Sequence, residues 1–247
     1  MLIAERQNFM TLPPLTRLEL SKMIDHSLLK PGITQAETIL GCELAIREQV
    51  AAVTIKPCYT KLAAKILSGS GVMVNPVICF PMGYDTTDTK VFATRQAIDE
   101  GAEEIDMVLN LGALFIGDYL FVLEDIAAVV EASQGRTVKV ILETGYYQDM
   151  ELIVKACQII EAAGGHFVKT STGFASSPYV NEYGETVGYT LDILKLMRQS
   201  VSEAVQVKAA QGVRRLKDAL EVIEIGVTRF GVSGTEKLLK EYDETFG

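Results

Sequence analysis

Residues 137–173 read TVKVILETGYYQDMELIVKACQIIEAAGGHFVKTSTG, and this stretch decides the fold. It opens with a mostly apolar run over 137–143, the composition of a parallel strand covered on both faces. A helical pattern follows over 150–163 and stops at Gly164 and Gly165, glycine just past a helix being the usual stop signal. A second β-like run, 166–172, comes next. Strand, helix, strand in so short a span is one βαβ unit, the building block of parallel sheets.

The same alternation continues on either side. Further β-like runs cover 23–28, 51–56, 73–80, 104–110, 205–210 and 229–233, which makes eight in all. Helical patterns lie between them. The one over 34–49 begins with Thr34 at the cap and Glu37 at the capping-box position. Those over 87–100 and 215–225 end at Gly101 and Gly226. Eight β–α units predict an α/β fold of the closed (β/α)8 TIM-barrel type. An open doubly wound sheet is the alternative, but no Gly-x-Gly-x-x-Gly follows the first run. The units do not resemble one another enough to indicate an internal duplication. A length of 247 residues suits one such barrel, and a hydrophobic share of 48% is enough for its large core. The expected organisation is a short N-terminal extension, 1–14, and a single barrel domain, 15–247.

A formal net charge of −9 makes nucleic acid or an anionic membrane a poor partner. No uncharged apolar run approaches the length of a membrane span, and residues 1–14 lack the pattern of a signal peptide. Cys42, Cys58, Cys79 and Cys157 have neither zinc-finger nor redox-motif spacing, which fits reduced thiols in the cytoplasm. Cys58 and Cys79 are read as small core residues.

In a barrel, polar residues at the C-terminal ends of the strands project into the active site. That rule selects Asp25, Lys56, Asp106, Lys139, Glu143, Lys169 and Lys208. The two lysines at 169 and 208 end neighbouring apolar runs. A lysine is expensive to bury, and a second ammonium beside it favours the neutral amine. A neutral amine attacks carbonyl carbon and forms a Schiff base, so the pair points to an enzyme that makes or breaks bonds next to a carbonyl. A structural ion-pair network inside the barrel is the competing interpretation of the same residues.

Several longer segments carry a resemblance. They are Ile-Asp-His-Ser-Leu-Leu-Lys-Pro at 24–31, Pro-Cys-Tyr at 57–59, Phe-Pro-Met-Gly at 80–83, Gly-Ala-Glu-Glu-Ile-Asp-Met-Val-Leu-Asn at 101–110, Leu-Glu-Thr-Gly at 142–145 and Phe-Val-Lys-Thr-Ser-Thr-Gly-Phe at 167–174. Together they resemble the deoxyribose-phosphate aldolases, a class I aldolase family on the barrel fold, over nearly the whole chain. The resemblance implies reversible cleavage of 2-deoxy-D-ribose 5-phosphate to acetaldehyde and D-glyceraldehyde 3-phosphate, with no cofactor and no metal. It implies Lys169 as the Schiff-base lysine, Lys208 as the lysine that depresses its neighbour's pKa, and Asp106 as the proton relay. Phosphate would be held at Gly173, Gly212, Val213, Gly231, Ser233 and Gly234. Asp25, Thr54, Lys139 and Glu143 would support the catalytic groups, and the chain would form dimers or tetramers.

The chain departs from the family pattern at Gln211, where glycine or serine is usual, at Gly234, where a second serine is usual, and at Thr54 and Lys56 in the second run. These departures keep open a Schiff-base aldolase for another small sugar phosphate. A catalytically idle barrel that binds a phosphorylated metabolite is a further alternative. His26 and His166 are read as structural, and the acidic segment 241–244 as a solvated helix face. Residues 173–188 form a loop longer than the usual βα connection, read as a lid, a subunit contact or a tolerated insertion.

Overall fold

A computed structural model describes residues 15–247, so the expected extension at 1–14 lies outside the described residues. Eight parallel strands, β1 (Ile24–Leu28), β2 (Ala52–Ile55), β3 (Met73–Ile78), β4 (Glu104–Val108), β5 (Thr137–Ile141), β6 (Phe167–Lys169), β7 (Gln206–Ala209) and β8 (Arg229–Val232), pair in chain order. β8 pairs with β1 and closes the barrel. The helices are α1 (Arg17–Ser21), α2 (Gln35–Arg47), α3 (Thr60–Leu67), α4 (Thr87–Asp99), α5 (Leu111–Phe115), α6 (Tyr119–Ala132), α7 (Met150–Ala162), α8 (Leu191–Gln199), α9 (Leu216–Glu224) and α10 (Thr235–Phe246). This is the predicted (β/α)8 barrel. Most strands are shorter at their C-terminal ends than their sequence runs, because the chain leaves the ladder there to build the rim loops. Among the described residues, no helix is long and apolar enough to cross a membrane.

Strand alternation sorts the side chains into two cores. Ile24, Val53, Val74, Ile105, Met107, Val138, Val140, Val168, Val207 and Phe230 are buried in one apolar cluster with helix residues such as Ile126, Ile153, Leu194 and Leu238. That layer lies between sheet and helices. The alternate positions face the barrel axis and include Asp25, Thr54, Asn75, Glu104, Asp106, Lys139, Lys169 and Lys208, all buried. Burying so many polar groups is tolerable only because they pair with one another.

The helices start and dock as local chemistry dictates. Thr34 accepts from the Glu37 amide at 3.3 Å while Glu37 accepts from the Thr34 amide at 2.7 Å, the expected capping box. α4 and α6 are joined by a buried ion pair, Lys90 Nζ to Asp125 Oδ2 at 2.5 Å, and Thr87 donates to Asp125 Oδ1 at 2.8 Å. His26 faces outward from β1, 2.8 Å from the Thr235 hydroxyl at the start of α10, and burial pushes its pKa down to about 4. His166 lies just before β6, where its Nδ1 accepts from the Val138 amide. Two cysteine assignments need correction. Cys58 is exposed and Cys79 only half-buried, since both sit just past strand ends on the rim rather than in the core.

Candidate active site

The registers of neighbouring strands bring the charged residues together. Lys169 on β6 lies opposite Lys208 on β7, and Asp106 on β4 lies opposite Lys139 on β5. Side chains from β4, β6 and β7 meet on the axis at one oxygen. Asp106 Oδ2 lies 2.5 Å from Lys169 Nζ and 2.8 Å from Lys208 Nζ. The other oxygen, Oδ1, accepts from Asn75 Nδ2 at 2.9 Å, and the same amide donates to Thr54 Oγ1 at 3.1 Å. Asp106 is thereby fixed in orientation from a third side.

The network continues toward the N-terminal end of the barrel. Lys208 pairs with Asp25, and Lys139 contacts Asp25 at 3.2 Å, Glu104 at 2.5 Å and Asp106 at 3.4 Å. Arg229, at the start of β8, bridges Asp25 at 2.6 Å and Glu104 at 2.7 Å. Three carboxylates, Asp25, Glu104 and Asp106, thus meet four basic groups, Lys139, Lys169, Lys208 and Arg229. One basic group is in excess.

Lys169 is the group positioned to give up its charge. Burial is the largest influence on it and pulls its pKa down; Asp106 pushes it up, and Lys208 pulls it down again. The balance leaves it lowered from 10.5 to about 8. Desolvation therefore outranks the neighbouring ammonium as the cause. Asp106 shows the opposite balance. Burial disfavours its charge, but the ammonium groups of Lys169, Lys208 and Lys139 outweigh burial and hold it well below the usual carboxylate range. Asp25 is likewise held low against its burial by Lys139, Lys208 and Arg229.

The remaining sequence candidates divide. Lys56 lies outside the network and donates to the carbonyls of Pro31 and Ile33. Glu143 is away from Lys208 and Asp106; it accepts from the Thr172 amide at 3.1 Å, and burial raises its pKa against the pull of that amide and of Lys169. Gly173 follows β6, and a Cβ built on it would lie 3.8 Å from Gln211 Cβ. Gly212 packs beneath the Tyr189 ring, Val213 is buried, and Gly231 lies in β8 near Ala210 and Ser27. Ser233 and Gly234 connect β8 to α10, where Gly234 is the cap residue. All these positions lie at the C-terminal ends of β6 to β8, on one rim.

The loop after Gly173 is tied down. Arg215 at the start of α9 forms a double contact with Glu185 at 2.8 and 2.9 Å and stacks 3.9 Å over the Tyr183 ring. Arg214 donates to the Thr186 carbonyl, and Thr144 to that of Gly188. Three participants escaped sequence reasoning. Glu104 and Arg229 lie at the N-terminal ends of their strands, where the rim rule does not look. Asn75 was visible only as a polar residue in an apolar run.

Comparison with known proteins fits this geometry. The family profile described as DeoC/LacD family aldolase matches residues 20–241. A deoxyribose-phosphate aldolase of Staphylococcus epidermidis is 45% identical over 222 residues, covering 89% of this chain and 95% of that protein. One from Clostridium tetani is 44% identical over 225 residues, covering 91% and 99%. The solved tetrameric deoxyribose phosphate aldolase of Aeropyrum pernix superposes with a TM-score of 0.81 at 25% identity, covering 92% of each chain.

Proposed function

We propose, from the premise that this chain belongs to the DeoC/LacD family of aldolases, that it cleaves 2-deoxy-D-ribose 5-phosphate reversibly to acetaldehyde and D-glyceraldehyde 3-phosphate through a Schiff base on Lys169. The observation that carries this reading is the single Asp106 oxygen shared by two buried lysines, one of which is lowered to about 8. At pH 7 roughly a tenth of such an amine is neutral, against fewer than about one in a thousand for a free lysine.

The neutral Lys169 amine attacks C1 of the open-chain sugar. The Lys208 ammonium, through the Asp106 carboxylate it shares with Lys169, delivers a proton to the departing hydroxyl; water leaves and an iminium remains. Acetaldehyde carries two carbons, so the bond that breaks joins C2 and C3. As a base removes the C3 hydroxyl proton, the C2–C3 electron pair flows to the iminium nitrogen. The three-carbon phosphate leaves as an aldehyde, and an enamine stays on Lys169. Protonation of the enamine at C2 and attack by water release acetaldehyde and regenerate the amine. Asp106 lies within hydrogen-bond reach of both the reacting nitrogen and Lys208, the geometry a proton relay needs, and such a relay accelerates by roughly a hundred- to ten-thousandfold.

The phosphate end belongs to the glycine-rich rim, Gly173, Gly212, Val213, Gly231, Ser233 and Gly234, whose backbone N–H groups suit an anion. The same reading takes the chain as a homo-oligomer, supported by the tetrameric relative, and as a cytoplasmic enzyme, supported by four free cysteines. Borohydride reduction in the presence of 2-deoxyribose 5-phosphate, followed by peptide mass mapping, tests the chemistry. A stable two-carbon or sugar adduct on Lys169 alone is expected. An adduct on another lysine, or no adduct with this sugar, rejects the proposal.

A further inference from the structure

Among the described residues, five other than glycine have a left-handed backbone: Gln49, Cys79, Gln134, Glu143 and Gln211. Gln49 and Gln134 follow the C-terminal ends of α2 and α6, where this conformation is the common way to stop a helix. The other three follow β3, β5 and β7 on the catalytic rim. Backbone conformations that side chains disfavour persist where the surroundings enforce them, and they collect at binding sites.

The Glu143 side chain so placed has a partner, since it accepts from the Thr172 amide. The Cys79 thiol is half-buried, and burial together with nearby Asp85 raises its pKa. Gln211 differs. Its Oε1 is buried and finds no donor among the described residues. Its backbone is locked from outside, since its carbonyl accepts from the Gly188 amide at 2.5 Å. Its side chain lies against Gly173, where a Cβ would stand 3.8 Å from Gln211 Cβ and 3.9 Å from its Cγ. It stands three residues beyond Lys208, no more than roughly 11 Å along the chain, a span comparable to a five-carbon phosphate ester.

We infer that Gln211 is a specificity-determining residue whose carboxamide donates a hydrogen bond to the anionic end of the substrate. A half-turn of the amide exchanges Oε1 and Nε2, which puts an N–H donor at the position where a buried acceptor now goes unpaired. An anionic oxygen arriving there satisfies that donor, and hydrogen bonds to charged groups are the stronger kind. The inference rests on the proposed phosphate-ester substrate and adds a side-chain contact to a rim otherwise made of backbone N–H groups.

Steady-state kinetics of wild type, Gln211→Gly and Gln211→Glu, each with 2-deoxyribose 5-phosphate and with unphosphorylated 2-deoxyribose, test it. Glycine keeps the left-handed backbone and removes the side chain with its amide. The expected result is a five- to tenfold fall in the preference for the phosphorylated sugar in Gln211→Gly, expressed in KM with kcat little changed, and a larger fall in Gln211→Glu, where a carboxylate replaces the donor. Thermal stability of the glycine variant should equal or exceed that of wild type, because the disfavoured conformation is relieved. An unchanged preference in Gln211→Gly overturns the inference and leaves Gln211 a merely tolerated side chain. A wild-type enzyme indifferent to the phosphate overturns the substrate reading beneath it, which separates the two failures.

Discussion

At the scale of the residue, the chemistry depends on how three charges divide two protons. Lys169 and Lys208 share one oxygen of Asp106, so changing either neighbour moves the Lys169 pKa in a direction set by charge alone. Removing Lys208 deletes a cation that favours the neutral amine. In Lys208→Leu the Lys169 pKa therefore rises above about 8, and the ascending limb of kcat/KM against pH moves to higher pH. Asp106→Asn deletes the anion that favours the charged form. The Lys169 pKa falls and the same limb moves to lower pH, while turnover drops by roughly a hundredfold or more because the relay is gone. Borohydride trapping on Lys169 should survive in this variant, since the nucleophile is intact. Displacement of both profiles in the same direction would falsify the electrostatic account.

At the scale of the element, what the sequence reveals depends on whether a partner is local. Each strand was legible as an apolar run, and Thr34 with Glu37 announced the start of α2, because both signals lie within a few residues. Lys169 and Lys208 were legible as a pair because consecutive parallel strands put them in register. Partners across the barrel were not. Arg229 reaches Glu104 from β8 to β4, a contact that exists only once the sheet has closed. Lys90 and Asp125 were equally hidden; nothing in α4 or α6 alone says that two charged side chains will meet in the interface between them. That pair makes its own prediction. Lys90→Met leaves Asp125 buried beside Thr87 without its cation and should destabilise the fold by about 3–5 kcal/mol in urea unfolding. Replacing both partners, Lys90→Met with Asp125→Leu, should recover most of that loss, since the penalty comes from the stranded charge and not from the missing bridge. If the double variant is no better than the single one, packing rather than charge holds α4 to α6.

At the scale of the whole molecule, the barrel has two cores with opposite logic. The outer one is apolar and asks for no balance. The inner one is a column of charge, with Asp25, Glu104 and Asp106 against Lys139, Lys169, Lys208 and Arg229. Such a column is closest to neutral when one basic group is uncharged, and Lys169 is the one whose balance ends below the ordinary lysine value, whereas carboxylate partners lift Lys139 and Arg229 above theirs despite burial. The lowered pKa of Lys169 is thus a property of the column as a whole, including Arg229 at the opposite end of the barrel from the rim. It also places function against stability. Holding Lys169 at about 8 when the unfolded chain holds it at 10.5 means that its charged form destabilises the folded state, by roughly 3 kcal/mol at neutral pH. Between those two values the unfolded state binds more protons than the folded one, so this penalty fades as pH rises from about 8 toward 10.5. Lys169→Met removes the excess charge and keeps an unbranched apolar chain in its place. The variant should be inactive, more stable than wild type at pH 7 by urea midpoint, and no longer ahead near pH 10. A methionine variant less stable than wild type at pH 7 would mean that the Asp106 contact outweighs the excess charge, and that the column is held by pairs rather than by its total.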